Sequence, residues 1–249
     1  MKRIQHTLIF QPVMLPISHK FAFDVEYEEI NFEAQDGTLI NTLLFRTKKV
    51  SYPKGLILYF HGNKGNLQRW GNMHLDFTER GYDYWVMDYR GYGKSNGTPA
   101  ETALYTDGLD FYNEAIKHYP AQDIIIYGRS LGTAVASHLA VEHSSKFLCL
   151  ETPFDNMEGI FRSHTRLNFL PVDIHFDFPN NRFLTRVKCP TYIFHGTRDG
   201  VVPYSSALRL KPLLGENDIF FTIKGGSHNN LSNFADFQSI LDKILGEKI

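Results

Sequence analysis

The chain has 249 residues, 43% of them hydrophobic, and a formal net charge of −1. That length and apolar content suit one large α/β domain with a substantial core, and the balanced charge excludes a nucleic-acid surface built on overall basicity. The N-terminal run starts basic, but Gln5, His6, Gln11 and Pro12 interrupt any apolar stretch, which argues against a signal peptide and against stable membrane insertion.

The predicted elements begin with two alternating segments, 25–34 and 38–46, separated by Asp36-Gly37. An Asp-Gly pair between such segments predicts an antiparallel connection. The continuous apolar run at 55–60 reads as a strand covered on both faces. Apolar positions from Leu67 to Phe77 predict a helix ending near Gly81. A strand at 82–89 and a helix from Ala103 to Tyr119 follow, with Pro120 marking the helix end. Then come a strand at 124–127, a helix at about 131–143, and strands at 146–151, 191–196 and 218–224. Helical patterns occupy 204–214 and 232–246. Alternation of this kind predicts a mostly parallel sheet with helices on both faces.

Residues 154–187 break the rhythm. They hold Phe154, Phe161, Phe169, Phe176, Phe178 and Phe183 with Pro171, Pro179 and no clear strand. Such a stretch reads either as a small cap beside a site or as a surface segment anchored by its phenylalanines. The chain is otherwise undivided, so a single domain spanning 1–249 with a cap at 154–187 is expected. Cys149 and Cys189 sit in or beside strand-like segments, and two reduced thiols in a cytoplasmic protein are the plain reading.

Chemistry enters at Gly128-Arg129-Ser130-Leu131-Gly132, a G-x-S-x-G corner set between an apolar run and a small-residue helix. Such a corner lifts a serine hydroxyl above the sheet edge at a helix N-terminus, where unpaired N–H groups favour developing negative charge. A serine hydroxyl is a weak nucleophile and needs a base and an orienting acid. Asp199 and His228 each lie in a glycine-bounded loop after a later strand, giving the order Ser130, Asp199, His228. Asp155 and Glu151 also follow a strand and compete for the acid's place, but only Asp199 precedes a Val-Val-Pro segment able to hold it. His195, four residues before Asp199, reads as a structural histidine. For the oxyanion, the Leu131 N–H and the Asn63 N–H of the loop His61–Asn66 are the expected donors.

In order, "YFHGNKGN", "MDYRGYGKSNG", "IYGRSLG", "IFHGTRDGVVP" and "GGSHNNL" make the sequence closely resemble the α/β-hydrolase family over nearly its whole length. Within it, the chain is most similar to short-capped serine hydrolases related to serine aminopeptidases and acyl-protein depalmitoylases. The resemblance implies an eight-stranded sheet whose second strand is antiparallel, and a cofactor-free mechanism using Ser130, Asp199 and His228. A cleaved carboxylic ester or thioester is the expected reaction, on a small-molecule or acyl-group substrate. An aminopeptidase or other amide hydrolase is the alternative, for which Glu151, Asp155 and Glu158 are candidate partners of a substrate amine. A non-catalytic binding protein of the same fold is a third reading.

Other motifs point away from metal and phosphate chemistry. No His-x-x-x-His, His-Glu-x-x-His or paired cysteines occur, and "GNKGN" lacks phosphate-loop spacing. Arg129, beside the nucleophile, reads more readily as a structural ion pair than as a binder of an acidic substrate group. Asp88, Arg90 and Tyr92 are expected to support the site edge.

Overall fold

The computed structural model describes residues 2–165 and 174–246. Its centre is set by runs of apolar residues that are buried along their whole length. Strands β1 (Glu28–Glu33), β2 (Leu39–Phe45), β3 (Leu56–Phe60), β4 (Asp83–Met87), β5 (Ile124–Arg129), β6 (Phe147–Glu151), β7 (Thr191–Gly196) and β8 (Ile219–Ile223) form one sheet. Every residue of β3, β4, β5 and β6 is buried, as parallel strands covered on both faces require.

Period-two alternation divides those strands between two cores. Leu56, Leu58, Ile124, Ile126, Leu148 and Leu150 face one side, while Ile57, Tyr59, Ile125, Tyr127, Phe147 and Cys149 face the other. Helices α4 (Glu101–Ala115) and α5 (Gly132–Glu142) cover the first face. The second is covered by two short helices, α2 (Leu67–Trp70) and α3 (Leu75–Thr78), and by α9 (Ala235–Leu245). No helix among the described residues is long and apolar enough to cross a membrane.

The strand order is β8-β7-β6-β5-β3-β4-β2-β1. Only β2 runs against its neighbours, pairing antiparallel with both β1 and β4. Gly37, at φ +80°, makes the hairpin turn between β1 and β2 where the Asp-Gly pair predicts it. The order reverses between β3 and β5, which pair directly with Phe60 opposite Gly128. At such a switch point the loops after two adjacent strands diverge and leave a crevice.

Differences from the predicted elements have local causes. The helix expected over Leu67–Phe77 is broken by a 3-10 turn at Gly71–His74. The one expected at 204–214 reduces to α8 (Tyr204–Leu208) and a 3-10 turn containing Pro212, which has no N–H to continue a helix. The segment after β6 contains α6 (Met157–Thr165) and α7 (Asn180–Leu184). Phe169 and Pro171 lie outside the described residues. The largest departure is at the start, where α1 (Lys2–Ile9) forms in a stretch for which no element was expected.

Candidate active site

Close backbone contacts build the corner after β5. Ser130 adopts φ +52°, a conformation that L residues rarely take. Its N–H donates to the Glu151 carbonyl at 2.9 Å, and its own carbonyl accepts from the Thr133 N–H at 3.0 Å and the Thr133 hydroxyl at 2.6 Å. The flanking glycines are required by proximity: a Cβ on Gly128 would come within 2.5 Å of the Gly132 carbonyl oxygen, and one on Gly132 within 2.0 Å of that of Phe60. Helix α5 can therefore press against β3 and β5, and Ser130 stands at its N-terminal end.

The loops after β7 and β8 touch in the same manner. A Cβ on Gly196 would lie 2.2 Å from the Gly226 carbonyl, and Arg198 N–H donates to that carbonyl at 2.8 Å. This contact brings Asp199 and His228 together. The His228 Nδ1–H donates to Asp199 Oδ2 at 2.8 Å, and the Ser130 hydroxyl donates to His228 Nε2 at 3.0 Å. A carboxylate only accepts, so its bond to Nδ1 leaves the Nε2 lone pair facing the serine. The second Asp199 oxygen accepts the N–H groups of Val201 and Val202, each at 2.8 Å. Burial pushes the Asp199 carboxyl upward, but the hydrogen bond and charge of His228 and those two N–H groups outweigh it and hold the acid below its usual range.

The competing acids are engaged elsewhere. Asp155 accepts from the Ser206 hydroxyl at 2.6 Å and from Arg209 Nε at 2.5 Å, fastening the end of β6 to α8. Glu151 accepts from the Tyr127 hydroxyl at 2.8 Å and pairs with Arg129 Nε at 3.2 Å. Arg129 has a plain structural task. It lies opposite Glu151 in the β5–β6 register, and its far nitrogen donates to the His228 carbonyl at 3.0 Å. The residue beside the serine thus anchors the histidine loop. His195 is buried, with Nδ1–H donating to the Gly196 carbonyl at 3.1 Å and Nε2 lying 3.8 Å from Asp199 Oδ2.

On the other side of Ser130, Leu131 N–H opens helix α5. Among the described residues neither that N–H nor the Asn63 N–H has a hydrogen-bond acceptor. His61 Nδ1–H donates to the Gly62 carbonyl at 2.6 Å. The Gly62–Asn63 peptide is trans, so its N–H points away from that carbonyl. Tyr92 supports the loop by donating its hydroxyl to the Asn63 carbonyl at 2.8 Å, while Arg90 pairs with Asp107 and Asp36 and Asp88 accepts the Leu67 N–H at 3.2 Å.

Ser130, Leu131 and Asn63 open on a pocket of about 350 Å³. Its walls are apolar: Phe154, Met157, Ile160 and Phe161 come from the end of β6 and α6, and Val201 and Val202 from the acid loop. The phenylalanines of the inserted segment divide their tasks. Phe154, Phe161 and Phe176 line the pocket, whereas Phe178 packs at the buried foot of the segment and Phe183 against His138 and Tyr105. Sequence reasoning missed the wall contributed by α1, where Leu8 and Ile9 line the same cavity. Ile4 and Leu8 at helical spacing were the available signal, too short to distinguish a helix from an extended terminus. No cluster of three or more potential metal ligands occurs among the described residues.

An eight-stranded sheet with one antiparallel strand, a serine on a strained corner after β5, and loops converging at the switch point are the architecture of the α/β-hydrolase fold. The family model described as "Serine aminopeptidase, S33" matches residues 51–154, from the approach to β3 to the end of β6. The chain is similar to uncharacterized protein R595 of Acanthamoeba polyphaga mimivirus, 29% identical over 85% of this chain and 80% of that one. It is also similar to the human alpha/beta hydrolase domain-containing protein 17B, 26% identical over 79% of this chain and 68% of the other. Among solved structures, an esterase from Pyrococcus furiosus superposes with a TM-score of 0.73 over 96% of this chain and 97% of its own, at 16% identity. Est1E from Butyrivibrio proteoclasticus, with ferulic acid bound, gives 0.67 over 88% and 96% at 20% identity. Likeness at such identities establishes the fold.

Proposed function

We propose that this protein is a serine hydrolase that cleaves carboxylic esters or thioesters through an acyl-enzyme intermediate. The observation that carries the reading is the chain of two hydrogen bonds, 3.0 Å from Ser130 to His228 and 2.8 Å from His228 to Asp199, opening on an apolar pocket. His228 Nε2 takes the hydroxyl proton as Ser130 Oγ attacks the acyl carbon, and Asp199 stabilises the imidazolium that results. The N–H groups of Leu131 and Asn63 receive the oxyanion. The tetrahedral intermediate collapses, His228 gives its proton to the departing alcohol or thiol, and the acyl group remains on Ser130. Water, deprotonated by His228, then attacks the acyl carbon, and collapse of the second intermediate releases the acid and restores the serine.

An ester or thioester is favoured over a peptide N-terminus by the surroundings of the carboxylates. An aminopeptidase holds a substrate ammonium against acidic side chains. Here Glu151 is paired with Arg129, Asp155 with Arg209 and Glu158 with Arg162, and none lines the pocket. The pocket walls suit an apolar acyl group, and the described parts of the insertion, 154–165 and 174–187, flank it as a small cap.

The test is a panel of p-nitrophenyl esters, acyl thioesters and aminoacyl-anilides run against wild type and Ser130→Ala. The expected outcome is turnover of esters or thioesters above anilides by wild type, and loss of about 10⁶-fold in kcat in the variant. Esterase turnover that survived in Ser130→Ala would remove the assignment.

A further inference from the structure

Helix α1 and the strand segment that follows it are stitched to the loop after β3 residue by residue. The Asn63 side-chain N–H donates to the Ile9 carbonyl at 2.8 Å, and the Gln11 N–H donates back to the Asn63 carbonyl at 3.0 Å. Val13 N–H donates to the Gly65 carbonyl at 3.2 Å, and the Asn66 side chain donates to the Val13 carbonyl at 2.9 Å. Gln11–Pro12 and Lys64–Gly65 form a short parallel ladder of their own.

The helix is equally tied to the opposite wall. His175 N–H donates to Gln5 Oε1 at 2.9 Å, His6 Nε2–H donates to the Pro99 carbonyl at 2.9 Å, and the buried Phe10 meets Phe176 edge-on with ring centroids 5.4 Å apart. The return of the inserted segment is fixed as well, since Glu101 at the start of α4 accepts the N–H groups of Asp177 and Phe178, each at 2.7 Å. With both flanks held, Ile9 faces the pocket from a position the cavity cannot push aside without breaking the bond to Asn63. Ile4, one turn before Leu8 on α1, is exposed and is not among the residues that line the cavity.

We infer that this N-terminal segment is a specificity element of the hydrolase site: Leu8 and Ile9 form the wall that limits acyl-chain length, and the Asn63–Ile9 hydrogen bond couples that wall to an oxyanion donor. The inference rests on the ester-hydrolase reading above. An acyl chain too long for the pocket must displace Ile9, and the strain passes through the Asn63 side chain to its backbone N–H. Excess chain length is then read as lower kcat as well as higher KM.

The experiment is kcat and KM for p-nitrophenyl acetate, octanoate and dodecanoate with the full chain. Ile9→Trp fills the pocket and lowers the octanoate-to-acetate ratio of kcat/KM by about tenfold or more. Ile9→Ala raises the dodecanoate-to-octanoate ratio severalfold, the opposite direction from the same position. Asn63→Ala keeps the backbone donor but lets it wander, lowering kcat about tenfold with KM changed less. Ile4→Ser, on the same helix but outside the cavity lining, keeps the wild-type ratios. Ester turnover with both chain-length ratios within twofold of wild type in the two Ile9 variants overturns the inference and leaves the hydrolase reading standing. A wild type inert on every ester and unlabelled by a fluorophosphonate at Ser130 overturns both.

Discussion

The Ser130 corner and the pocket wall meet around one cavity, yet they are held by different kinds of interaction. At the corner, backbone lies on backbone: Gly128, Gly132 and Gly196 occupy places where a Cβ would strike a backbone carbonyl oxygen closer than 3 Å. Each polar atom of the Ser130, His228 and Asp199 chain has its partner, and Arg129 fastens the histidine loop from below. The wall, by contrast, is rings and aliphatic side chains on short helices, with Leu8, Phe161 and Val201 still exposed at its rim. Chemistry needs fixed geometry to a fraction of an ångström, whereas an apolar wall needs only volume and shape. Substitutions at the corner should therefore abolish turnover, and substitutions at the wall should redistribute it.

The largest departure from that contrast is tested at Asp199. In the proposed mechanism Asp199→Asn removes the charge that stabilises the imidazolium and permits the wrong histidine tautomer, so kcat should fall about 10⁴-fold on every ester. A loss confined to long-chain substrates would move Asp199 from the proposed catalytic chain to the wall. Arg129→Leu comes next. It leaves Glu151 buried without its cation and frees the His228 carbonyl, and stability measured by urea unfolding should drop by about 3 kcal/mol. Turnover should fall with KM little changed, because Arg129 acts through His228. An unaltered unfolding midpoint would show that the fork of Arg129 anchors nothing.

A smaller effect concerns acid. Burial lowers the pKa of His195, His74 and His138 below the ordinary value of 6.5. As pH falls below that value the unfolded chain takes up protons before the folded one, so stability declines on acidification and is insensitive to these groups above it. Asp199, held below 3.8, adds loss of the same sign only at far lower pH. Urea midpoints at pH 8, 6.5 and 5 check the direction, and His195→Asn should flatten part of the slope. A midpoint that rises toward pH 5 contradicts the assignment of these histidines as held neutral by desolvation.

The same division decides what could be read in the sequence. β3, β5 and β6 are legible because an unbroken apolar run has few places to go except the middle of a parallel sheet. The G-x-S-x-G corner is legible because its glycines answer a local steric demand, and the loops bearing Asp199 and His228 follow from strand order. Val201 and Val202 set Asp199 apart from Asp155 in the sequence, and the two N–H groups of those residues cradle its carboxylate. Arg129 is legible as a structural ion pair, but its partners are not, since they depend on the register that sets β5 against β6 and on a carbonyl 99 residues away. Helix α1 was hidden for another reason. Its eight residues would be marginal alone, and it forms because His6, Phe10 and the Ile9 carbonyl find partners elsewhere in the fold.

The most direct test of the central claim is to trap the acyl-enzyme. Wild-type protein mixed with a slowly deacylating p-nitrophenyl ester and quenched in acid should carry one acyl group by mass, located by peptide mapping on the peptide containing Ser130, and His228→Ala should carry none. An acyl adduct on another residue, or ester turnover with no adduct and no burst of p-nitrophenol, would contradict it.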